Sequence, residues 1–145
     1  MLKCEHEGRL DAPEYQDAVL ELYSRHLRRA SPYDPERSRR EFQEIAAPYL
    51  EDIGPAYALW GPHEFMGTGE ESEFDIVERL PEITAPALVL CGFYDELSPS
   101  LSRTLADGLA ENEYVIFGNA SHMTILEKEA DLYLACIRDW LDRHP

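Results

Sequence analysis

Residues 87–92 read Ala-Leu-Val-Leu-Cys-Gly, an unbroken apolar run closed by glycine. That is how a strand covered on both faces reads. Downstream, Ser98-Pro99 is placed to cap a helix that carries Leu101, Leu105 and Leu109 on one side. Tyr114-Val-Ile-Phe117 reads as a second buried strand. Thr124-Ile-Leu-Glu127 has the form of a capping box, and Ala130, Tyr133, Leu134, Ile137 and Leu141 form the stripe of a last helix. The order strand, helix, strand, helix is the signature of parallel, right-handed crossover units. Two parallel strands cannot cover both of their faces and both of their edges. Such a chain docks on a partner, associates with itself, or is a fragment of something longer.

Upstream of residue 80 the pattern is helical with irregular connections. Asp11-Ala-Pro-Glu14 resembles a capping box, followed by Tyr15, Ala18, Val19, Leu22, Tyr23 and His26 at helical spacing. Asp34-Pro35 starts a second helix, with the proline at its first position. Phe42, Ile45 and Ala46 give that helix a short apolar face, and Pro48 is expected to end it. Segment 50–72, with Gly-Pro-His-Glu-Phe at 61–65, reads as a shaped loop or short helices.

The 145 residues include 13 Lys and Arg against 29 Asp and Glu, a formal charge of −16. Nucleic acid would be repelled. Only Lys3 and Lys128 are lysines, which fits a salt-rich cytoplasm and ordinary solubilising charge equally. No apolar run approaches the roughly 20 residues that cross a bilayer, and the polar start, Met-Leu-Lys-Cys-Glu-His-Glu, does not read as a signal peptide. Cys4, Cys91 and Cys136 are too scattered for a disulfide framework, and no C-x-x-C spacing suggests zinc. Cys91 and Cys136 read as buried small hydrophobes. The expectation is a cytoplasmic protein without a membrane partner.

Chemistry concentrates beyond the two strands. Asp95 and Glu96 follow the first, in Gly92-Phe-Tyr-Asp-Glu-Leu-Ser-Pro99. His122 follows the second, in Gly118-Asn-Ala-Ser-His-Met123. In open parallel sheets ligands bind beyond the carboxyl ends of the strands. Singly, such an aspartate is a turn former and such a histidine polar surface. Together, in acid-then-base order, they fit the Ser…Asp…His order of α/β-hydrolases. His26 reads as packing. His63 beside Glu64 starts no H-E-x-x-H, so a metal site has no support. None of Ser98, Ser100 and Ser121 lies in a G-x-S-x-G, and no glycine-rich phosphate loop occurs.

Four segments carry a resemblance: Gly-Pro-His-Glu-Phe (61–65), Arg-Leu-Pro-Glu-Ile-Thr-Ala-Pro-Ala-Leu-Val-Leu (79–90), Gly-Phe-Tyr-Asp-Glu-Leu-Ser-Pro (92–99) and Phe-Gly-Asn-Ala-Ser-His-Met (117–123). They resemble the proline iminopeptidase family of α/β-hydrolases, and Tyr23-Ser-Arg-His-Leu-Arg28 resembles its helical cap. The resemblance implies an α/β fold: residues 1–70 part of a helical cap, and 71–145 the last βαβα of the parallel sheet, the C-terminal part of an α/β-hydrolase core. It implies Asp95 as triad acid and His122 as triad base. Glu64 and Glu96 match the acidic residues that hold a substrate's free amino terminus, so the implied partner is a short peptide, with no metal or organic cofactor. Family members run about twice this length. The half with the oxyanion loop and nucleophile elbow has no counterpart here, so the chain alone is expected to be inactive and to associate through its sheet edge or with a missing N-terminal half. Two other readings stay open: an esterase or amidase on the same scaffold, and an inactive truncated interaction module.

Overall fold

The computed structural model describes residues 1–30, 32–50 and 54–145, with residues 49 and 50 described by backbone only. Part of the 50–72 stretch, residues 51–53, therefore lies outside the described residues. Residues 87–92 form β1 (Ala87–Gly92) and residues 112–117 form β2 (Asn112–Phe117). The two pair in parallel, from Ala87 opposite Asn112 to Gly92 opposite Phe117. Between them runs α5 (Pro99–Gly108), which packs on β1 and on a 3-10 turn at Val77–Glu82. The last helix, α6 (Ala130–Arg143), follows a 3-10 turn at Thr124–Leu126.

Among the described residues four helices precede the sheet: α1 (Leu2–His6), α2 (Pro13–His26), α3 (Pro35–Leu50) and α4 (Gly54–Trp60), the last leading to a 3-10 turn at Glu64–Met66. The spacing of Tyr15, Val19 and Tyr23 puts all three on one face of α2, and all three are buried with Cys4. Phe42 of α3 closes this cluster, its ring centroid 5.0 Å from that of Tyr23. Each large side chain so buried stabilises by roughly 1.5–3 kcal/mol. Arg25 and His26 in the last turn of α2 suit the negative end of the helix dipole.

Several local expectations fail for identifiable reasons. Neither capping box forms. Helix α2 starts at Pro13 with no side-chain cap, and Glu14 pairs with Arg9 instead. Thr124 sits in a 3-10 turn separated from α6, and Glu127 is buried in another role described below. Ser98 does occupy the cap position of α5, but its hydroxyl meets Ser100 Oγ at 2.8 Å. Asp34 does cap α3, accepting the Arg37 N–H at 2.9 Å. Pro48 lies inside α3, which continues to Leu50. So near a helix end the single lost hydrogen bond is tolerated.

The apolar strands and helix stripes are covered only in part. Val89, Cys91 and Phe117 are buried, but Ile116 of β2 is 44% exposed. On α5 the buried residue is Ala106, against expectation, while Leu101 and Leu105 are exposed. No residue of α6 is buried; Leu141 is exposed and Cys136 only half-buried. The cause is the one anticipated from the strand count. Among the described residues the sheet has two strands, too little surface to cover the stripes that face it.

Candidate functional site

The ends of β1 and β2 feed two loops that lie against each other. Phe93 N–H donates to Phe117 O at 2.8 Å, and Tyr94 N–H to Ala120 O at 3.0 Å. Gly92 permits this approach, because a β-carbon there would overlap the carbonyl oxygens of Ala120 and Ser121. The loops place Asp95 Oδ1 3.0 Å from His122 Nδ1. The same oxygen accepts the Leu97 N–H at 2.9 Å, which fixes the carboxylate in a turn. Asp95 is nearly enclosed while the imidazole stands partly open, its side chains 8% and 41% exposed. With Nδ1 turned to Asp95, Nε2 is the edge of the ring left for a reacting group.

The hydrogen bond to Asp95 raises the His122 pKa above the ordinary histidine value; burial opposes it, and the Asp95, Glu96 and Glu64 charges add to the rise. Glu96 is the most perturbed carboxyl nearby. Burial pushes it up to about 7, the charges of Glu64 and Asp95 push the same way, and His122 opposes them. Among the described residues its Oε2 is buried without a hydrogen-bond partner. Tyr23 of α2 belongs to the same neighbourhood. Its hydroxyl pKa is raised by burial first, then by Glu64 and Glu96. Glu64, in the turn after α4, is exposed. The structure thus brings Asp95, His122, Glu96 and Glu64 into one electrostatic neighbourhood, open to solvent on one side. Two surface grooves, one around Leu22 and Phe65 and one between β1 and α6, include none of the four. Among the described residues no cluster of three or more His, Cys, Asp or Glu is placed to hold a metal ion.

Sequence reasoning missed what holds the loops. His26 is more than packing. Its ring nitrogen Nδ1 lies 2.8 Å from Tyr94 O, and its carbonyl accepts the His122 N–H at 3.0 Å. The next carbonyl, Leu27 O, accepts the Met123 N–H at 2.9 Å. The C-terminal carbonyls that a helix leaves without internal partners are here supplied by the His122 loop. Arg29 continues the seam, its guanidinium over the rings of Tyr33 and Tyr94 at 4.2 and 4.0 Å. His26 sits on an apolar stripe, and no spacing in the sequence marked its polar duty.

The chain is 35% identical over 141 residues to the proline iminopeptidase of Saccharolobus solfataricus, covering 97% of itself and 43% of that protein. It is related to the proline iminopeptidases over their C-terminal part. A solved proline iminopeptidase from Mycobacterium smegmatis superposes with a TM-score of 0.78 at 27% identity, over 98% of this chain and 46% of that one. The crystal structure of VinJ superposes at 0.82 with 27% identity, over 99% and 47%. No family model matches the chain. The chain spans less than half the length of the proline iminopeptidases it matches. Its fold is the C-terminal portion of an α/β-hydrolase.

Proposed function

We propose that the chain supplies the acid and base of a serine aminopeptidase of the proline iminopeptidase type, cleaving N-terminal residues from short peptides. The observation that carries the reading is the 3.0 Å contact between Asp95 Oδ1 and His122 Nδ1 on successive strand ends. In this reading residues 1–70 are part of the cap and 71–145 part of the core. A serine from outside these 145 residues attacks the scissile carbonyl. His122 Nε2 takes the serine proton and delivers it to the leaving amine; then, as base, it activates the water that hydrolyses the acyl-enzyme. Asp95 holds the imidazole in the Nδ1–H tautomer and stabilises the imidazolium. Glu64 and Glu96 face the substrate's ammonium group and reward a free amino terminus.

The sequence contains no G-x-S-x-G. The proposal therefore includes a nucleophile and oxyanion donors from outside these residues, without which acyl transfer lacks its two largest contributions. The exposed Ile116 and Leu141 favour docking of the part that carries them. The test is to co-express this chain with the part of the Saccharolobus solfataricus enzyme that it does not cover. Turnover of a prolyl chromogenic substrate is expected only from the pair, and is lost in His122→Ala. A complex that forms but turns over nothing would overturn the reading. So would turnover by this chain alone that His122→Ala abolishes, because the nucleophile would then be among these residues.

A further inference from the structure

Glu127 is a buried carboxylate, its side chain 1% exposed, five residues beyond His122. Its Oε2 accepts the Ser121 N–H at 2.7 Å. Its Oε1 accepts the Arg29 N–H at 2.7 Å and the Ser121 hydroxyl. The Arg28 guanidinium stands 3.9 Å away and turns its other side to Glu41 of α3 at 2.8 Å. Ser121, also fully buried, receives the Arg29 N–H on Oγ at 3.1 Å, and Oγ lies 3.1 Å from Leu27 O. One hydroxyl proton cannot serve both Leu27 O and Glu127, but Leu27 O already accepts from Met123.

Three consecutive amides are pinned, the first of them by Glu127. Ser121 N–H is held by Glu127, His122 N–H by His26 O, and Met123 N–H by Leu27 O. Ile125 and Leu126 of the same loop are exposed, so these two apolar side chains do not pin it. We propose that Glu127 is the positioning residue of this site, locking the His122 loop to the C-terminal end of α2 so that the imidazole meets Asp95. The inference rests on the reading of His122 as the base. It makes the cap helix and the base one mechanical unit, so that a shift of α2 moves the imidazole.

The test is the titration of His122, followed by NMR on the full 145-residue chain with labelled histidine. The groups that face His122 are Asp95, Glu96 and Glu64, and none is altered. Glu127→Gln presents an amide nitrogen where an acceptor is needed. Ser121→Ala removes one hydroxyl and no charge. In the unmodified chain His122 is expected to titrate above the ordinary value of about 6.5. In both variants it is expected to fall toward that value while circular dichroism stays folded. Leu80→Ala, which empties a buried position under α5, should lower the melting temperature and leave the titration in place. If Glu127→Gln does not fold, Ser121→Ala decides. A folded Glu127→Gln variant with an unchanged His122 titration overturns the proposal, as does an unmodified chain in which His122 titrates ordinarily. Loss of the shift in the variants, with no peptidase activity from the reconstituted pair, would sink the functional reading and leave the positioning role standing.

Discussion

Gly92 and Ala120 touch backbone to backbone, at the one place where the Asp95 and His122 loops leave the sheet. A methyl group at Gly92 has no room, and what it meets is main chain rather than a side chain that can rotate away. Gly92→Ala must therefore part the two loops or bend β1. The expected destabilisation is about 1–3 kcal/mol, the usual range for overpacking. Thermal melts check the magnitude. Loss of the raised His122 titration would show that the loops separate. A melting temperature equal to that of the unmodified chain would mean that the contact is slack.

A pH dependence of stability follows from Glu96 and His122. Glu96 is raised to about 7, chiefly by burial, so the folded chain holds a proton there that the unfolded chain releases near its ordinary value of 4.5. Its contribution to stability is fully present below the unfolded value and is lost as pH rises through about 7. His122 is also raised, chiefly by Asp95, so its contribution is likewise lost as pH rises through its folded value. Both act in one direction. The melting temperature is expected to fall as pH rises from about 4.5 through about 7, and Glu96→Gln should flatten part of that fall. Parallel melts of the two proteins, showing identical slopes, would remove Glu96 from the account.

Isolated in solution, the chain is expected to bind hydrophobic dyes and to self-associate. Leu101 and Leu105 on α5, Ile116 on β2 and Leu132 and Leu141 on α6 are all exposed, as are Phe74 and Phe93. Among the described residues the two-stranded sheet also leaves unpaired strand edges. Size-exclusion chromatography with and without the complementary half of a relative tests this. Dye binding should drop when the complex forms. A monodisperse monomer that melts cooperatively and binds no dye contradicts the expectation.

The strands were legible because their signal is unambiguous: 87–92 is apolar throughout and ends in glycine, and β1 has those bounds. The meeting of Asp95 and His122 was legible because parallel strands send their loops to one edge of the sheet. Burial was less readable. The Leu101 and Leu105 stripe has the right period, but a period says which residues share a face and not whether anything covers it. Glu127 was misread for a similar reason. Thr124-x-x-Glu127 has capping-box spacing, yet the partners of Glu127 are Ser121 and Arg29, the latter 98 residues away in the chain. No local pattern encodes a contact of that separation. His26 illustrates the same limit, since its carbonyl and its ring are both spent on loops far along the sequence.

The glutamates separate an aminopeptidase from a generic hydrolase. Glu96 is half-buried, with a carboxyl oxygen that has no partner among the described residues, and Glu64 contributes the largest charge effect on it. The Glu64 charge helps hold a proton on Glu96, and an arriving cation reverses that balance; a substrate ammonium would supply one. If each makes a charge-assisted hydrogen bond to it, each is worth about 1.5–3 kcal/mol. That corresponds to about ten- to over a hundredfold in kcat/KM. In the reconstituted enzyme, Glu64→Gln and Glu96→Gln should slow cleavage of free-amine peptides by about those factors and spare a small neutral ester. Because both charges help to raise His122, the acidic limb of the pH profile should also move to lower pH in these variants. Asp95→Asn should reduce peptide and ester turnover alike, by roughly ten-thousandfold, since it leaves the imidazole in the wrong tautomer. Equal losses on ester and peptide from the glutamine variants would place Glu64 and Glu96 in structure or chemistry rather than amine recognition, and the aminopeptidase reading would lose its main physical support.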